Sequence, residues 1–455
     1  MSELSVQATQ KATDKPPIAA VPGTVVDGVT FVTGGLGAVR GLRCSGVHAG
    51  FRRNPERRDL ALIVSEHPVA AAGMFTRNRF CAAPVEVSRA HLAACCGGTG
   101  DAGDAGCGVR AVLINSGNAN ATTGVQGLEV ARQSAALAAD ALGCAPEQVL
   151  VASTGVIGVP LGIEGFERGI PAAVAALGPA DASSAAADAA GNAACAIMTT
   201  DTVPKSAAVT FSATQSDGVQ VTYTIAAIAK GSGMIQPDMA TMLAVVATDA
   251  DLTVDACDRA LRRAVEVTLN RVTVDSDTST NDSVFLLATG GMPGRTINPD
   301  CPLFEPFVRA LTVLLTDLAR RIAYDGEGAT RLVTVDVTGA VDDGQADRAA
   351  RSIANSPLIK TAIAGHDANW GRIAMALGKS GARFDVASVD IDLMGVAVCR
   401  AGLPVAFDED AVARLFNERL EIPLQVRLGA GSGSARVWTC DLTHDYVTIN
   451  ADYRT

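Results

Sequence analysis

A threonine set directly behind a glycine-loosened loop is the first place in this chain where chemistry could occur. Residues 230–243 read KGSGMIQPDMATML, and the run MLAVVATDA from Met242 has the look of a buried strand. A hydroxyl is a poor nucleophile until a base takes its proton. The usual base is histidine, but the chain has five, His48, His67, His91, His366 and His444, and none sits in a Gly-x-Ser-x-Gly elbow. A free α-amine, with an ordinary pKa of about 8, would suit the task near neutral pH. Thr241 would carry one if the Ala240–Thr241 bond broke, and nucleophile and base would then share one residue. The cut follows the same logic: Thr241 Oγ attacks the Ala240 carbonyl, and water opens the resulting ester. Gly231, Gly233 and Pro237 supply backbone freedom and stiffness side by side, and small Ala240 leaves room for the tetrahedral intermediate. Read from residue types alone, most such loops are only turns before strands.

Other candidates are weaker. VASTGVIG from Val151 ends a strand in Ser-Thr-Gly, which would set a hydroxyl beside a glycine N–H as an oxyanion site; an ordinary strand-to-loop turn is the commoner reading. INSGNANA from Ile114 could line a polar pocket, though such a turn more often satisfies its own backbone. TGGLGAVRG from Thr33 has Arg40 where a dinucleotide loop needs its third glycine. DSDTSTNDSVF from Asp275 starts like a calcium loop but lacks its glycine and closing glutamate. The eleven cysteines include no CxxC pair, and the histidines no HxxxH pair, so no metal site is expected.

What must position these residues is a large globular body. The chain has 455 residues, 48% of them hydrophobic but only 4% aromatic, and a formal net charge of −11, which argues against nucleic acid. No apolar run is long enough to cross a membrane. The first residues, MSELSVQATQKATDKPP, read neither as a secretory signal nor as a transit peptide. With scattered, reduced cysteines this predicts a cytoplasmic protein. Residues 1–22 are expected to be a disordered tail, 23–340 the catalytic body and 345–455 a separate C-terminal lobe. LALIV at 60, RAVLIN at 110 and QVLVAS read as strands, as do AAVTFSA and VQVTYTIAAIA. EVARQSAALAADALG from Glu129 reads as a helix stopped by Gly143, and DACDRALRRAVEVTLNRV as a long amphipathic one. The low-complexity stretch CCGGTGDAGDAGCG is expected to be a surface insertion. The mixture points to α/β layering.

Six ordered motifs, KGSGMIQPDMATML, STGVIG, TTDT.PK, STND, HDANWGR and the ending INADYRT, together resemble the ornithine acetyltransferase (ArgJ) family of arginine biosynthesis, also called glutamate N-acetyltransferase. The resemblance runs from about residue 24 to the end. It implies self-cleavage between Ala240 and Thr241 into two chains that stay together as a heterotetramer of two each. It also implies transfer of an acetyl group from N2-acetylornithine through an acetyl-Thr241 enzyme to L-glutamate, with no cofactor. Acetyl-CoA is left open as a second donor. The implied fold is a layered αββα sandwich, shared with the self-cleaving aminopeptidase–esterase (DmpA) kind, plus a smaller C-terminal α/β lobe.

Carried over motif by motif, Thr154 and Gly155 would form the oxyanion hole. Lys230 would bind the carboxylate that both substrates share, and Glu327 in DGEGAT the ammonium end of ornithine. In MTTDT the substrate contact would be Thr199, with Thr200 the alternative. Asn450 and Thr455 would complete the pocket from the C-terminal end. Family members commonly have Pro where this chain has Ala368, without expected consequence. Two rival readings remain: an amidase or aminopeptidase of the same sandwich, and an uncleaved, non-catalytic binding protein that runs as one band near 46 kDa.

Overall fold

The computed structural model describes residues 15–96, 108–214, 218–236 and 242–452. Ala240, Thr241 and Thr455 therefore lie outside the described residues, as does most of the stretch read as a surface insertion. The first ten strands are β1 (Val25–Val26), β2 (Val29–Val32), β3 (Leu42–Val47), β4 (Leu60–Phe75), β5 (Val109–Asn118), β6 (Val149–Val156), β7 (Lys205–Thr214), β8 (Gln220–Lys230), β9 (Leu243–Thr248) and β10 (Ser283–Ala288). They form one continuous ten-stranded sheet in the order β1-β2-β7-β8-β9-β10-β4-β5-β6, with β3 also on β4.

Strand β4 folds that sheet over on itself. Its first residues pair with β3 and β5, while Ala70–Phe75 pair antiparallel with β10. A single 16-residue strand thus belongs to two facing halves. Alternate side chains show the layering, because neighbours along a strand point to opposite faces. In β9, Leu243, Val245 and Ala247 join Ile63, Ile114 and Leu150 of the other half in the core between the halves. Ala244 and Val246 instead face an outer core.

Helices cover both outer faces. Those up to residue 324 are α1 (Ala83–Cys96), α2 (Gly124–Leu142), α3 (Glu164–Ala175), α4 (Ser184–Ala196), α5 (Val254–Val267) and α6 (Phe304–Tyr324). α5 and α6 pack on the β7–β10 half, α2 and α3 on the β3–β6 half, and α4 against β3. The chain is therefore the expected αββα sandwich. α5 shows why its sequence is helical there: Thr253 caps it by accepting from Ala256 N at 3.2 Å. Ala256, Cys257, Ala260, Leu261, Ala264 and Val265 make one buried stripe, and Arg259–Asp255 and Arg262–Asp258 pair on the wet face.

A second sheet orders β14-β13-β12-β15-β11-β16, from β11 (Leu332–Ala340), β12 (Asp390–Leu393), β13 (Val396–Arg400), β14 (Leu403–Pro404), β15 (Glu421–Arg427) and β16 (Gly433–Cys440). Its own core includes residues of α7 (Asp343–Ala354), α8 (Pro357–Ala364), α9 (Trp370–Gly378) and α10 (Glu409–Glu418). β11 lies inside the 23–340 stretch read as the catalytic body, yet it pairs with β15 and β16. Its first residue, Leu332, packs in the sandwich core with Trp438 and Cys440, so the two sheets meet along this strand. The final helix, α11 (His444–Ala451), turns back toward the sandwich. At the other end, residues 15–22 of the expected tail rest on the body: Lys15 Nζ donates to the carbonyls of Tyr324 and Ala329, and Ala20 N to Asp317 Oδ1 at 2.9 Å. No helix among the described residues is long and apolar enough to cross a membrane.

Candidate active site

Where β6, β8 and β9 end or begin, the sandwich opens into a cavity of about 290 Å³. Thr154, Gly155, Thr199, Thr200, Lys230, Glu327 and Asn450 all line it, together with Met242 and Leu243. Seven residues singled out from sequence therefore converge, from positions spread over 297 residues of chain, 154 to 450 inclusive.

Thr154 and Gly155 close β6, in parallel register with Ser116 and Gly117 of β5. Gly155 has φ 133, and a Cβ there would come within 2.3 Å of the Gly117 carbonyl carbon. Only glycine fits that crossing. The INSGNANA turn beside it mostly serves itself: Asn118 Oδ1 accepts from Asn120 N, and Asn120 Nδ2 donates to Gly127 O. Ala119 is its contribution to the cavity wall.

Lys230 ends β8 opposite Leu243. It is 7% exposed and its ammonium makes no hydrogen bond to the other described residues, while burial lowers its pKa against the opposing pull of Asp201. The loop after it is held from two sides. Gly231 N donates to Asp201 Oδ1 at 2.7 Å, and Asp201 Oδ2 accepts from Thr199 N at 2.9 Å. One carboxylate thereby positions residues of two cavity walls. Asp201 is in turn bound by Lys205 Nζ at 2.7 Å, and the same ammonium reaches Asp325 Oδ2 at 2.6 Å. Lys205 is fully buried. Burial alone would push the Asp201 pKa up, but the Lys205 and Lys230 ammoniums outweigh it and hold the group well below the carboxylate range.

The rejected calcium-like loop has a different use. Asp275 accepts from Met234 N at 2.7 Å and from Ile235 N at 2.8 Å, and Thr278 Oγ1 donates to Gln236 O at 3.0 Å. Asp275–Asp282 thus clamps the segment that leads to Thr241. Its end is pinned to β6, since Asn281 Nδ2 donates to Ser153 O at 2.9 Å and to Ala119 O at 2.5 Å.

Glu327 is 8% exposed and lies against Gly233, where a Cβ would fall within 2.4 Å of its carboxyl carbon. Asn450 Nδ2, reaching in from α11, donates to Glu327 Oε2 at 2.7 Å. Sequence reasoning passed over Asp201, Lys205, Asp325 and Asp275 as site residues. Two of them stood inside the quoted motif TTDT.PK, so the signal was present, but nothing in a linear motif says that a charge is buried. Among the described residues no group of three or more His, Cys, Asp or Glu is placed to hold a metal ion.

The sequence profile of the ArgJ family matches residues 43–455. The chain belongs to the ArgJ family. Among relatives, the arginine biosynthesis bifunctional protein ArgJ of Symbiobacterium thermophilum is 46% identical over 426 residues, covering 93% of this chain and 100% of that protein. ArgJ of Thermosynechococcus vestitus is 42% identical over 438 residues, covering 93% and 99%. A solved ornithine acetyltransferase from Mycobacterium tuberculosis, complexed with ornithine, is 34% identical; the match covers 47% of this chain and 100% of that one, with a TM-score of 0.38. As an ArgJ family member, this chain is an acyltransferase of arginine biosynthesis.

Proposed function

We propose that this ArgJ family enzyme cleaves itself between Ala240 and Thr241 and carries acetyl groups on the freed threonine. The observation that carries the reading is the sorting of charge in one cavity. A buried ammonium, Lys230, and a buried carboxylate, Glu327 with Asn450, line the same cavity, and Met242 and Leu243, which directly follow Thr241 in sequence, line it too. An N-acetylated α-amino acid fits such a site, with its carboxylate on Lys230. The ammonium end of ornithine would then meet Glu327.

In the first half-reaction the Thr241 α-amine takes the hydroxyl proton, and Oγ attacks the acetyl carbonyl of N2-acetylornithine. The tetrahedral oxyanion falls to the Thr154 hydroxyl and the Gly155 N–H, a reading supported by the fixed backbone of this stretch, which is paired with β5. Ornithine leaves, L-glutamate enters the same pocket, and its amine takes the acetyl group to give N-acetylglutamate. Thr199 and Thr455 contact substrate, with Thr200 the alternative to Thr199. After cleavage the two pieces stay joined through the shared sheet, as a heterotetramer of two each. Their cytoplasmic location fits a chain that feeds arginine synthesis. The relatives' name, bifunctional, supports acetyl-CoA as a second donor for glutamate.

The test is glutamate acetylation with each donor supplied separately. N-acetylglutamate formed from N2-acetylornithine supports the reading. Hydrolysis of the donor without transfer would point instead to an amidase, and no reaction from an uncut chain to a binding protein.

A further inference from the structure

One buried acid in the cavity wall has no place in that scheme. Asp282 closes the STND motif, is 2% exposed, lines the cavity, and its Oδ2 has no hydrogen-bond partner among the described residues. Its backbone is fixed beside the start of β9: Thr76 N donates to Asp282 O at 3.0 Å, and the next residue, Ser283, pairs with Leu243 and donates from its N to Met242 O. Met242 directly follows Thr241. An unpartnered buried oxygen is costly to a fold unless something uses it.

We propose that Asp282 is the proton store of acetyl transfer, giving a proton to the departing amine and reclaiming one from the incoming ammonium. The proposal rests on the acetyl-threonine reading above, and the proton count calls for such a group. When acetylornithine acylates Thr241, a C–O bond forms and the amide C–N bond breaks. The departing nitrogen keeps its one hydrogen, gains the Thr241 hydroxyl proton through the α-amine, and needs a third to leave as an ammonium. That third proton comes from the Asp282 carboxyl, which is left as a carboxylate. In the second half, the glutamate ammonium returns a proton to Asp282. The freed amine then forms the new C–N bond, the ester C–O bond breaks, and one proton passes back to Thr241 Oγ. Asp282 ends as it began.

The surroundings of Asp282 suit the role. Burial raises its pKa well above the carboxylate range, against the opposing pull of the Ser279 side chain and of Lys230, the one charged group among the described residues that acts on it. Lys230 comes from β8 and Ser279 from the same loop as Asp282. An acid kept neutral in the free enzyme can donate at neutral pH.

The experiment measures single-turnover acetylation of the self-cleaved enzyme by two donors, N2-acetylornithine and p-nitrophenyl acetate. The second leaves as a phenolate and needs no stored proton. Asp282→Asn should lower the ratio of the two rates, acetylornithine over ester, by about 100-fold, a typical loss for a missing acid. Asp282→Glu should recover part of it. If Asp282→Asn does not fold or cleave, the wild-type pH profile decides: acylation by acetylornithine should fall with rising pH as Asp282 ionises, while acylation by the ester should not. Equal loss with both donors, or coincident pH profiles, overturns the proposal. A wild-type enzyme acetylated by neither donor would instead overturn the acetyl-threonine reading.

Discussion

Replacing Asp201 by asparagine should damage stability and substrate binding together. The carboxylate accepts from Gly231 N and Thr199 N at 2.7 and 2.9 Å, and it is half of the counter-charge for a Lys205 ammonium with no exposure to water. Asparagine keeps the shape and one acceptor oxygen but leaves Lys205 with Asp325 alone. Breaking a buried pair by removing one partner costs about 3–5 kcal/mol, against a total folding stability on the order of 5–15 kcal/mol. The sign of the pH dependence follows from the depressed Asp201 pKa. Its contribution is fully present above the unfolded carboxylate range and is lost as pH falls through the native value. The deficit of the variant should therefore be constant near neutrality and narrow below about pH 4. Lys205, whose pKa burial lowers but Asp201 and Asp325 together raise, contributes below the ordinary lysine range, and that share is lost only at strongly alkaline pH. Urea midpoints of the purified enzyme between pH 3 and 8, with KM for acetylornithine, are the assay. A variant that loses under about 1 kcal/mol at pH 7, or one whose deficit grows as the solution is acidified, would refute the reasoning.

Two further substitutions probe the cavity walls. Lys230→Met should raise KM for both amino-acid substrates by about 10- to 100-fold, the worth of one charge-assisted contact of 1.5–3 kcal/mol, while self-cleavage on a denaturing gel persists; equal loss of both would assign Lys230 to folding. Gly155→Ala should lower kcat by 100-fold or more, because its Cβ would meet the Gly117 backbone at 2.3 Å and push the oxyanion donors apart. Near-normal kcat in that variant would remove Gly155 from the oxyanion site.

Local patterns were legible where one residue type dominates the physics. The helix read from Glu129 is α2, ending at Leu142, and Gly143 terminates it with φ 67. The run DACDRALRRAVEVTLNRV opens in α5, capped by Thr253 and ending at Val267. AAVTFSA and VQVTYTIAAIA form the β7–β8 hairpin. By contrast, LALIV at 60 read as a short strand, whereas β4 continues to Phe75. Exposed Glu66, His67 and Pro68 interrupt its apolar run at the point where it passes from one half of the sheet to the other. The second sheet's first strand was assigned to the catalytic body because its partners, β15 and β16, lie some 80 residues or more further along. Long-range pairing leaves no mark in a local window.

The site divides the same way. Thr154, Gly155, Lys230, Glu327 and Asn450 were placed by motif resemblance, since no spacing rule would gather them. Asp201, Lys205 and Asp325 were missed because charged residues are ordinarily wet, and their burial depends on each other's presence. Asp275 was visible only as part of a failed metal loop; its actual bonds go to backbone N–H groups 40 and 41 residues upstream.

The account stands on Thr241 as a freed amino terminus that carries acetyl. Intact-mass and peptide mass spectrometry of enzyme quenched with N2-acetylornithine, before glutamate is added, tests this directly. The expected species is a C-terminal polypeptide that begins at Thr241 and bears one acetyl group on that residue, discharged when glutamate is added. Full turnover by uncut 455-residue chain, or an acetyl group on any other side chain, would contradict it.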